Sequence, residues 1–436
     1  MTLAGAEDIL GRDATAALAR PIEAARGLPR SAYTSQAFYE LEQRRLFPRT
    51  WVGVAFAEDI PERGDAMPAT VSDVPVVLLR DGAGEIRAFH NVCRHRATIV
   101  LERPAKGLSN LQCPYHAWTY GLDGELKATP FWDGTKSTSR IPFDRASNGL
   151  VPIRCGVWNH IIFVNLDGKA APLEQYLAPA DRVLAGIELG ALRLGFRFAW
   201  DFKANWKLVN DNWEVYHHVW VHEGVFDKMS DEVDLETGET YTEMKPDGNV
   251  LVLRRKTGAP VRPPSAPLSG YAMPVIPVKP GAPPFAGCTS AILPNTTVTM
   301  GISAYSPAIY TPIAPGLTRA HMAWYFVGDT ATSAEFAGSR GLFWQMHQSI
   351  FANQSRLSVP VLIALAANLK LSPVDLRDAL ASGAFAEKVQ GDFISGVRSG
   401  VNGTPSFFVN GIRHDSPYGV ATLASAIDQA ILAAAA

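Results

Sequence analysis

The chain of 436 residues changes its hydrophobic rhythm several times. Apolar positions recur at helical spacing over 35–46, and 14–26 is Ala-rich with Pro21 as a break, so residues 1–49 are expected to be largely helical. From Trp51 to Asp167 short β-branched and aromatic runs alternate with turn signals. The run 74–79 ends shortly before Asp81-Gly82, and 161–166 runs into Asp167-Gly168. Such runs predict a compact antiparallel β domain. Short helical stretches are expected over 168–200, followed by one polar-aromatic segment over 201–227. Nine prolines between residues 258 and 287 predict a long loop. Strands are expected again at 297–304 and 320–327. Beyond about residue 335 the chain turns helical and Ala-rich, with a late strand at 406–409 closed by Asn410-Gly411.

Composition narrows the classes of partner. Lys and Arg total 40 against 42 Asp and Glu, a net charge of −2 that gives no reason to expect nucleic acid. Hydrophobic residues at 47% and charged residues at 19% belong to a globular chain, long enough for about three domains at roughly 150 residues each. Glu7 and Asp8 stand where a secretory signal would be basic and then apolar. The apolar run 359–367 is interrupted by Pro360 and is too short to span a bilayer. A soluble, cytoplasmic protein without a membrane partner is the expectation. Four cysteines, Cys93, Cys113, Cys155 and Cys288, do not make a disulfide scaffold.

Two of them sit in a pattern with chemistry. Cys93-Arg94-His95 is followed, after seventeen residues, by Cys113-Pro114-Tyr115-His116. Each half offers one thiolate and one imidazole. A [2Fe–2S] cluster can take two cysteines on one iron and two histidines on the other. Zinc accepts the same ligand types, but its fingers pair like with like along the sequence, Cys-x₂₋₄-Cys and His-x₃₋₅-His. Pro114 and the stretch 118–124 read as a turn between strands. Cys155 and Cys288 read as ordinary buried thiols.

Residues 91–126 resemble the Rieske domain of ring-hydroxylating, non-haem-iron oxygenase α subunits, with Ala117 where glycine is common, and the resemblance extends over about 30–330. It implies an α+β fold in which an antiparallel β Rieske domain (50–167) is inserted in a helix-grip (START-like) catalytic domain, formed by N-terminal helices (1–49) and a mononuclear-iron part (168–335). Cys93, His95, Cys113 and His116 would hold the cluster. Glu214, His217 and His222 match the family's acid-x-x-His-x-x-x-x-His pattern. Glu214 and His217 are three apart and share a face on a helix. His222 is off that face, so the helix must bend or end, as Gly224 allows. By the resemblance, His217 and His222 would bind Fe(II), and Glu214 would be an electron bridge from His217 to His116 of a neighbouring chain in a homotrimer. Glu rather than Asp at the bridge resembles the subgroup acting on quaternary ammonium compounds such as carnitine and betaines. Trp206, Trp213, Tyr216, Trp220 and Phe226 suit either a cage for a methylammonium group or core packing.

The resemblance then breaks. The family's third iron ligand is an Asp some 130–150 residues after the second His. Between Glu335 and Asp375 this chain has no Asp or Glu at all. His347 lies in that gap, and Asp375 and Asp378 come later, outside the family's pattern, so the third ligand stays open. Residues 336–436 resemble instead the second half of a DsbA-type thioredoxin-fold oxidoreductase, on Phe343-Trp-Gln-Met-His-Gln348, Ser372-Pro-Val-Asp-Leu376 and 400–411, with Pro405 in the place of the family's cis-proline. The redox chemistry of that family needs Cys-x-x-Cys, and none occurs here. Such a tail must dock on the oxygenase part, pair with another chain, or be poorly ordered.

These readings imply the terminal oxygenase component of a Rieske non-haem iron oxygenase, hydroxylating or oxidatively N-demethylating a small aromatic or quaternary ammonium substrate with O₂. The chain has no Gly-x-Gly-x-x-Gly after a strand, so a separate NAD(P)H-dependent reductase is the expected electron source. The alternative is a Rieske electron-transfer or iron-binding protein without oxygenase turnover, because the third iron ligand is missing.

Overall fold

The computed structural model describes residues 5–21, 23–132, 134, 143–211, 241–247, 250–255, 276–282, 288–301, 304–328, 340–353, 357–398, 407–409 and 412–414, with isolated positions after 424. Glu214, His217, His222, Pro405, Trp213, Tyr216, Trp220 and Phe226 lie outside the described residues.

The first domain is antiparallel β. Its strands are β1 (Val52–Phe56), β2 (Ala66–Val71), β3 (Val74–Arg80), β4 (Ile86–His90), β5 (Asn110–Gln112), β6 (Thr119–Gly121), β7 (Leu126–Ala128), β8 (Pro152–Trp158) and β9 (Ile161–Asn165). Six form one sheet in the order β1-β9-β8-β4-β3-β2, and β5-β6-β7 form a second, smaller one. The strands expected at 74–79 and 161–166 are β3 and β9. The β6–β7 turn needs glycine at position 124, where φ is +85° and a Cβ would meet the Phe89 ring at 2.3 Å.

The second domain is a seven-stranded antiparallel sheet. It comprises β10 (Leu192–Phe202), β11 (Tyr241–Asp247), β12 (Val250–Arg255), β13 (Cys288–Ile292), β14 (Thr296–Met300), β15 (Tyr305–Ala314) and β16 (Leu317–Val327), in the order β10-β16-β15-β14-β13-β12-β11. Two sequence expectations need correction here. Residues 168–200 hold the helix Leu173–Leu184, but the end of that stretch is most of β10. Leu192, Leu194, Phe196, Phe198, Trp200 and Phe202 alternate with period two, a strand signal that the segment-level reading passed over. The chain from Thr296 to Val327 is three strands rather than two. Pro307 and Pro312 make β15 look broken in sequence, yet it pairs with β14 on one side and β16 on the other, with a register shift just after Pro312.

The two domains share a core. Trp51, Phe56, Ile161 and Phe163 of the first pack with Tyr305, Ile309 and Tyr325 of the second and with Leu177 of the helix Leu173–Leu184. Gly53 is gripped at the seam: Asn295 Oδ1 accepts its N–H at 3.1 Å and Asn295 Nδ2 donates to its carbonyl at 2.9 Å. Any side chain at Gly53 would strike Thr296 Oγ1 at 2.4 Å. Nearby, Glu58 accepts from the Tyr325 hydroxyl at 2.9 Å and lies 2.6 Å from His160 Nδ1. Burial pushes the Glu58 carboxyl up, but His160 and Tyr325 outweigh it and hold it below its usual value.

The helix Gln36–Arg45 reaches the second domain. Tyr39, on the helix Gln36–Arg45, donates to Pro312 O at 3.2 Å. From the same helix, Glu42 reaches the helix Trp206–Asp211: Lys207 Nζ lies 2.7 Å from Glu42 Oε1, and Trp206 Nε1 donates to Oε2 at 3.1 Å.

The C-terminal part has its own core. Met346, Ile350, Leu362, Leu365, Leu376 and Ala379 join the helices Phe343–Ala352, Val359–Asn368 and Pro373–Ser382. Pro360 sits in the first turn of its helix, where a missing N–H costs nothing. A fourth helix, Ala386–Arg398, lies against β10, the edge strand of the large sheet, and Gln390 Nε2 donates to Arg197 O at 2.7 Å. The tail thus docks on the second domain. The expected late strand is β17 (Phe407–Val409), paired with β18 (Ile412–His414). Among the described residues no helix is long and apolar enough to cross a membrane.

Candidate metal centre

Two loops of the first domain repeat one design. In the first, Cys93 N–H donates to Thr98 O at 2.8 Å, and Cys93 O accepts from Ala97 N–H at 2.9 Å. In the second, Cys113 N–H donates to Trp118 O at 2.8 Å, and Cys113 O accepts from Ala117 N–H at 3.0 Å. The turn residue is left-handed in both, with φ +57° at Ala97 and +55° at Ala117. That geometry explains why glycine suits position 117.

The loops bring their side chains together in like pairs. Sequence order mixes one Cys and one His in each half. In space, the buried Cys93 and Cys113 thiols are within hydrogen-bonding reach of each other, and the His95 and His116 rings stand 4.8 Å apart between centroids. His95 Nδ1 is buried without a hydrogen-bond partner. An orphaned imidazole nitrogen is costly and is suited to a metal. Among the described residues no three His, Cys, Asp or Glu side chains converge closely enough for a single metal ion. A zinc finger needs that convergence; a cluster with two protein ligands per iron does not. The residues therefore fit a [2Fe–2S] cluster with thiols on one iron and imidazoles on the other.

The comparisons agree. Residues 50–139 match the family described as Rieske [2Fe-2S] domain, and residues 189–354 match the ring hydroxylating alpha subunit (catalytic domain). The chain thus carries a Rieske [2Fe–2S] domain followed by a ring hydroxylating alpha subunit catalytic domain. Rieske domains bind a [2Fe–2S] cluster, and the catalytic domain of this family uses non-haem Fe(II). The catalytic match runs to residue 354, so it includes the helix Phe343–Ala352 and His347.

Relatives of the chain include the glycine betaine monooxygenase oxygenase subunit of Chromohalobacter salexigens, 33% identical over 47% of this chain and 45% of that protein. The carnitine monooxygenase oxygenase subunit of Acinetobacter baumannii is 32% identical over 46% and 54%. The chloroplastic choline monooxygenase of Spinacia oleracea is 31% identical over 52% and 53%. The chain spans about half the length of the curated relatives it matches. A quaternary ammonium Rieske monooxygenase in complex with γ-butyrobetaine superposes with a TM-score of 0.54 at 23% identity, covering 76% of this chain and 85% of that one. Naphthalene 1,2-dioxygenase from Rhodococcus sp. gives 0.55 at 22%, covering 68% and 72%. These two likenesses establish the fold.

Sequence reasoning missed the groups around the ligands. Tyr120 is fully buried, and its hydroxyl accepts from Arg94 N–H at 3.0 Å. Its proton is thus left to donate to Cys93 Sγ, 3.2 Å away. Burial pushes the Tyr120 phenol up, so it stays a donor. Hydrogen bonds to cluster sulfurs raise the reduction potential. One such bond is worth about 1–1.5 kcal/mol, or roughly 40–65 mV for a one-electron couple. Tyr120→Phe is expected to lower the potential by that amount in a redox titration. An unchanged potential would show that the hydroxyl does not bond the sulfur when the cluster is in place.

Trp118 stacks on His95 at 4.9 Å with the rings 6° from parallel, and Phe143 stacks on the far side of Trp118 at 5.6 Å. Burial holds the His95 imidazole below its ordinary value, helped by His116 and Arg96, so it is neutral and able to ligate. His116 is exposed, beside Tyr115, whose side chain is 60% exposed. One edge of the site thus opens to the surface, as electron entry or exit requires.

Trp206 is core: it is buried, packs edge-on against Phe47 at 5.4 Å, and has Lys207 Nζ 5.0 Å from its ring. It therefore does not belong to a substrate cage. His347 is partly buried between Phe343 and Trp344. Asp375 is exposed and lies 3.7 Å from Arg340; Asp378 is exposed as well. Cys288 is buried and Cys155 partly so, each away from the cluster loops on β13 and β8.

Proposed function

We propose that this chain is the terminal oxygenase component of a quaternary-ammonium Rieske monooxygenase. It would use O₂ and electrons from a separate NAD(P)H-dependent reductase to hydroxylate or oxidatively N-demethylate its substrate. The pairing of Cys93 with Cys113 and of His95 with His116 carries the reading. The names of the glycine betaine, carnitine and choline monooxygenases among its relatives support the substrate class. The strand order of the large sheet, with β10 closing the far edge, supports a helix-grip catalytic domain.

When bound, the cluster supplies one-electron transfer and the mononuclear iron supplies O₂ activation. The chain's own residues hold the geometry. The helix Trp206–Asp211 ends three residues before Glu214 and is fixed at its start by Asn205, which donates to Tyr33 O at 3.1 Å and Pro315 O at 2.8 Å. Val209 of this helix packs on Ala308, Tyr310 and Ala320, so the helix lies on this face of the sheet. Fe(II) would be held by His217 and His222, with Glu214 linking His217 to His116 of a neighbouring protomer in a homotrimer. The third iron ligand would come from His347 or solvent, since no Asp or Glu occurs between Glu335 and Asp375. The tail would be a docked remnant of a DsbA-type fold, without thiol chemistry of its own.

Iron and acid-labile sulfide, counted on anaerobic protein after incubation with Fe(II), test this reading. About three irons to two sulfides per chain are expected. About two to two would mean that no mononuclear iron is held, and the chain would then be an electron carrier.

A further inference from the structure

Where the N-terminal helix, the Rieske sheet and the catalytic sheet meet, there is a cavity of about 380 Å³. That lies within the roughly 300–1,000 Å³ of small-molecule sites. It lies on the face of the catalytic sheet opposite the helix Trp206–Asp211. Along β16, Arg319 and His321 line the cavity, while the alternate residues Ala320 and Met322 pack with Val209 of the helix that leads to Glu214. Successive residues of a strand face opposite sides, so the sheet separates the cavity from that helix.

The wall carries two unanswered donors. Gln43 is 8% exposed, and its amide nitrogen has no hydrogen-bond partner among the described residues; the Ser72 hydroxyl is likewise buried and unpartnered. Both line this cavity. Among the described residues that line it, no cation is free. Arg319 is held by both Asp201 oxygens, at 2.7 and 2.8 Å. Burial holds His321 below its ordinary value, against the pull of Asp59 and Asp201, so the imidazole is neutral near pH 7. Asp73 on the β2–β3 turn adds a negative charge that opposes anions. Val54, Met67 and Ile313 supply an apolar wall.

We propose that this cavity is a second small-molecule site. It takes an uncharged compound with an apolar body and a carboxamide or carbonyl end, the oxygen meeting Gln43 and Ser72. Such a ligand touches both domains and would bind best when the seam is closed. The inference rests on the seam alone and stands whether or not the mononuclear iron site is filled.

Benzamide is the probe, with toluene as the same body lacking the polar end, and binding to the full chain is followed by ligand-observed NMR. Benzamide is expected to bind more tightly than toluene. Gln43→Leu should weaken benzamide roughly tenfold and leave toluene unchanged. Ile313→Trp, at the half-exposed rim, should exclude both while circular dichroism stays that of the parent. Gln43→Leu also removes a buried unpartnered amide, so the empty variant should melt no lower than the parent. Benzamide binding equally well to both variants would place it elsewhere. No binding at roughly 10 mM, weaker than millimolar affinity, would mean that the cavity holds water only. Either result overturns the proposal.

Discussion

Cys113→Ala is expected to yield a chain without its cluster: no visible absorbance from iron–sulfur charge transfer, no labile sulfide, and about two irons fewer. The thiol is 2% exposed in the core of the first domain, hydrogen-bonded to Cys93 and to the N–H groups of Tyr115 and His116. No other cysteine can stand in. Cys155 is committed to Ile86 O at 3.3 Å on β8, and Cys288 belongs to the seam core. Burial pushes the Cys113 thiol up, so without iron it stays protonated and inert. The apo chain should still fold, because the strands on which the loops stand are held by backbone bonds and by Leu111, Tyr120 and Leu126. Sulfide and iron assays with absorbance spectra decide it. Retention of a full cluster by Cys113→Ala would remove this residue from the ligand set and with it the pairing argument.

The second large effect concerns stability. Glu42→Leu is expected to cost about 3–5 kcal/mol, the usual penalty for breaking a buried ion pair by removing one side of it. The side chains of Lys207 and Glu42 are only 10% and 8% exposed. Burial pushes the Glu42 carboxyl up, while the hydrogen bond and charge of Lys207 pull it down without winning outright. The pair is thus barely compensated, and breaking it leaves an ammonium among Tyr33, Phe38 and Trp206. Replacing both, as Glu42→Leu with Lys207→Met, should recover most of the loss, since an apolar pair of similar volume carries no desolvation cost. Urea titration of parent, single and double variants reads this directly. A double variant as unstable as Glu42→Leu would mean that the pair contributes more than compensation.

Much of the site was legible because ligation is local chemistry. Cys-x-His and Cys-x-x-His each need only a tight loop, and such loops are written in a few consecutive residues: Pro114, the left-handed Ala97 and Ala117, the turn at Gly124. Strands with clean alternation or dense β-branching, β3 and β9, were legible for the same reason. β15 was hidden by prolines, whose cost depends on where neighbouring strands place their bonds. Over 168–200 a helix and a strand share one segment, so no single periodicity describes it.

By itself, then, the sequence determined two loops that each carry one cysteine and one histidine, the β texture of the first domain, the absence of Asp and Glu between Glu335 and Asp375, and the lack of a cysteine pair in the tail. Only the tertiary structure decided what requires distant segments to meet. It joined thiol to thiol and imidazole to imidazole across loops that each hold one of both. It set Glu42 against Lys207, 165 residues away. It placed Trp206 in the core, docked the tail on β10, and left Gln43 and Ser72 facing a cavity between two domains. Each of these is fixed by the packing of whole sheets and helices, and a one-dimensional pattern carries no record of which distant faces come together.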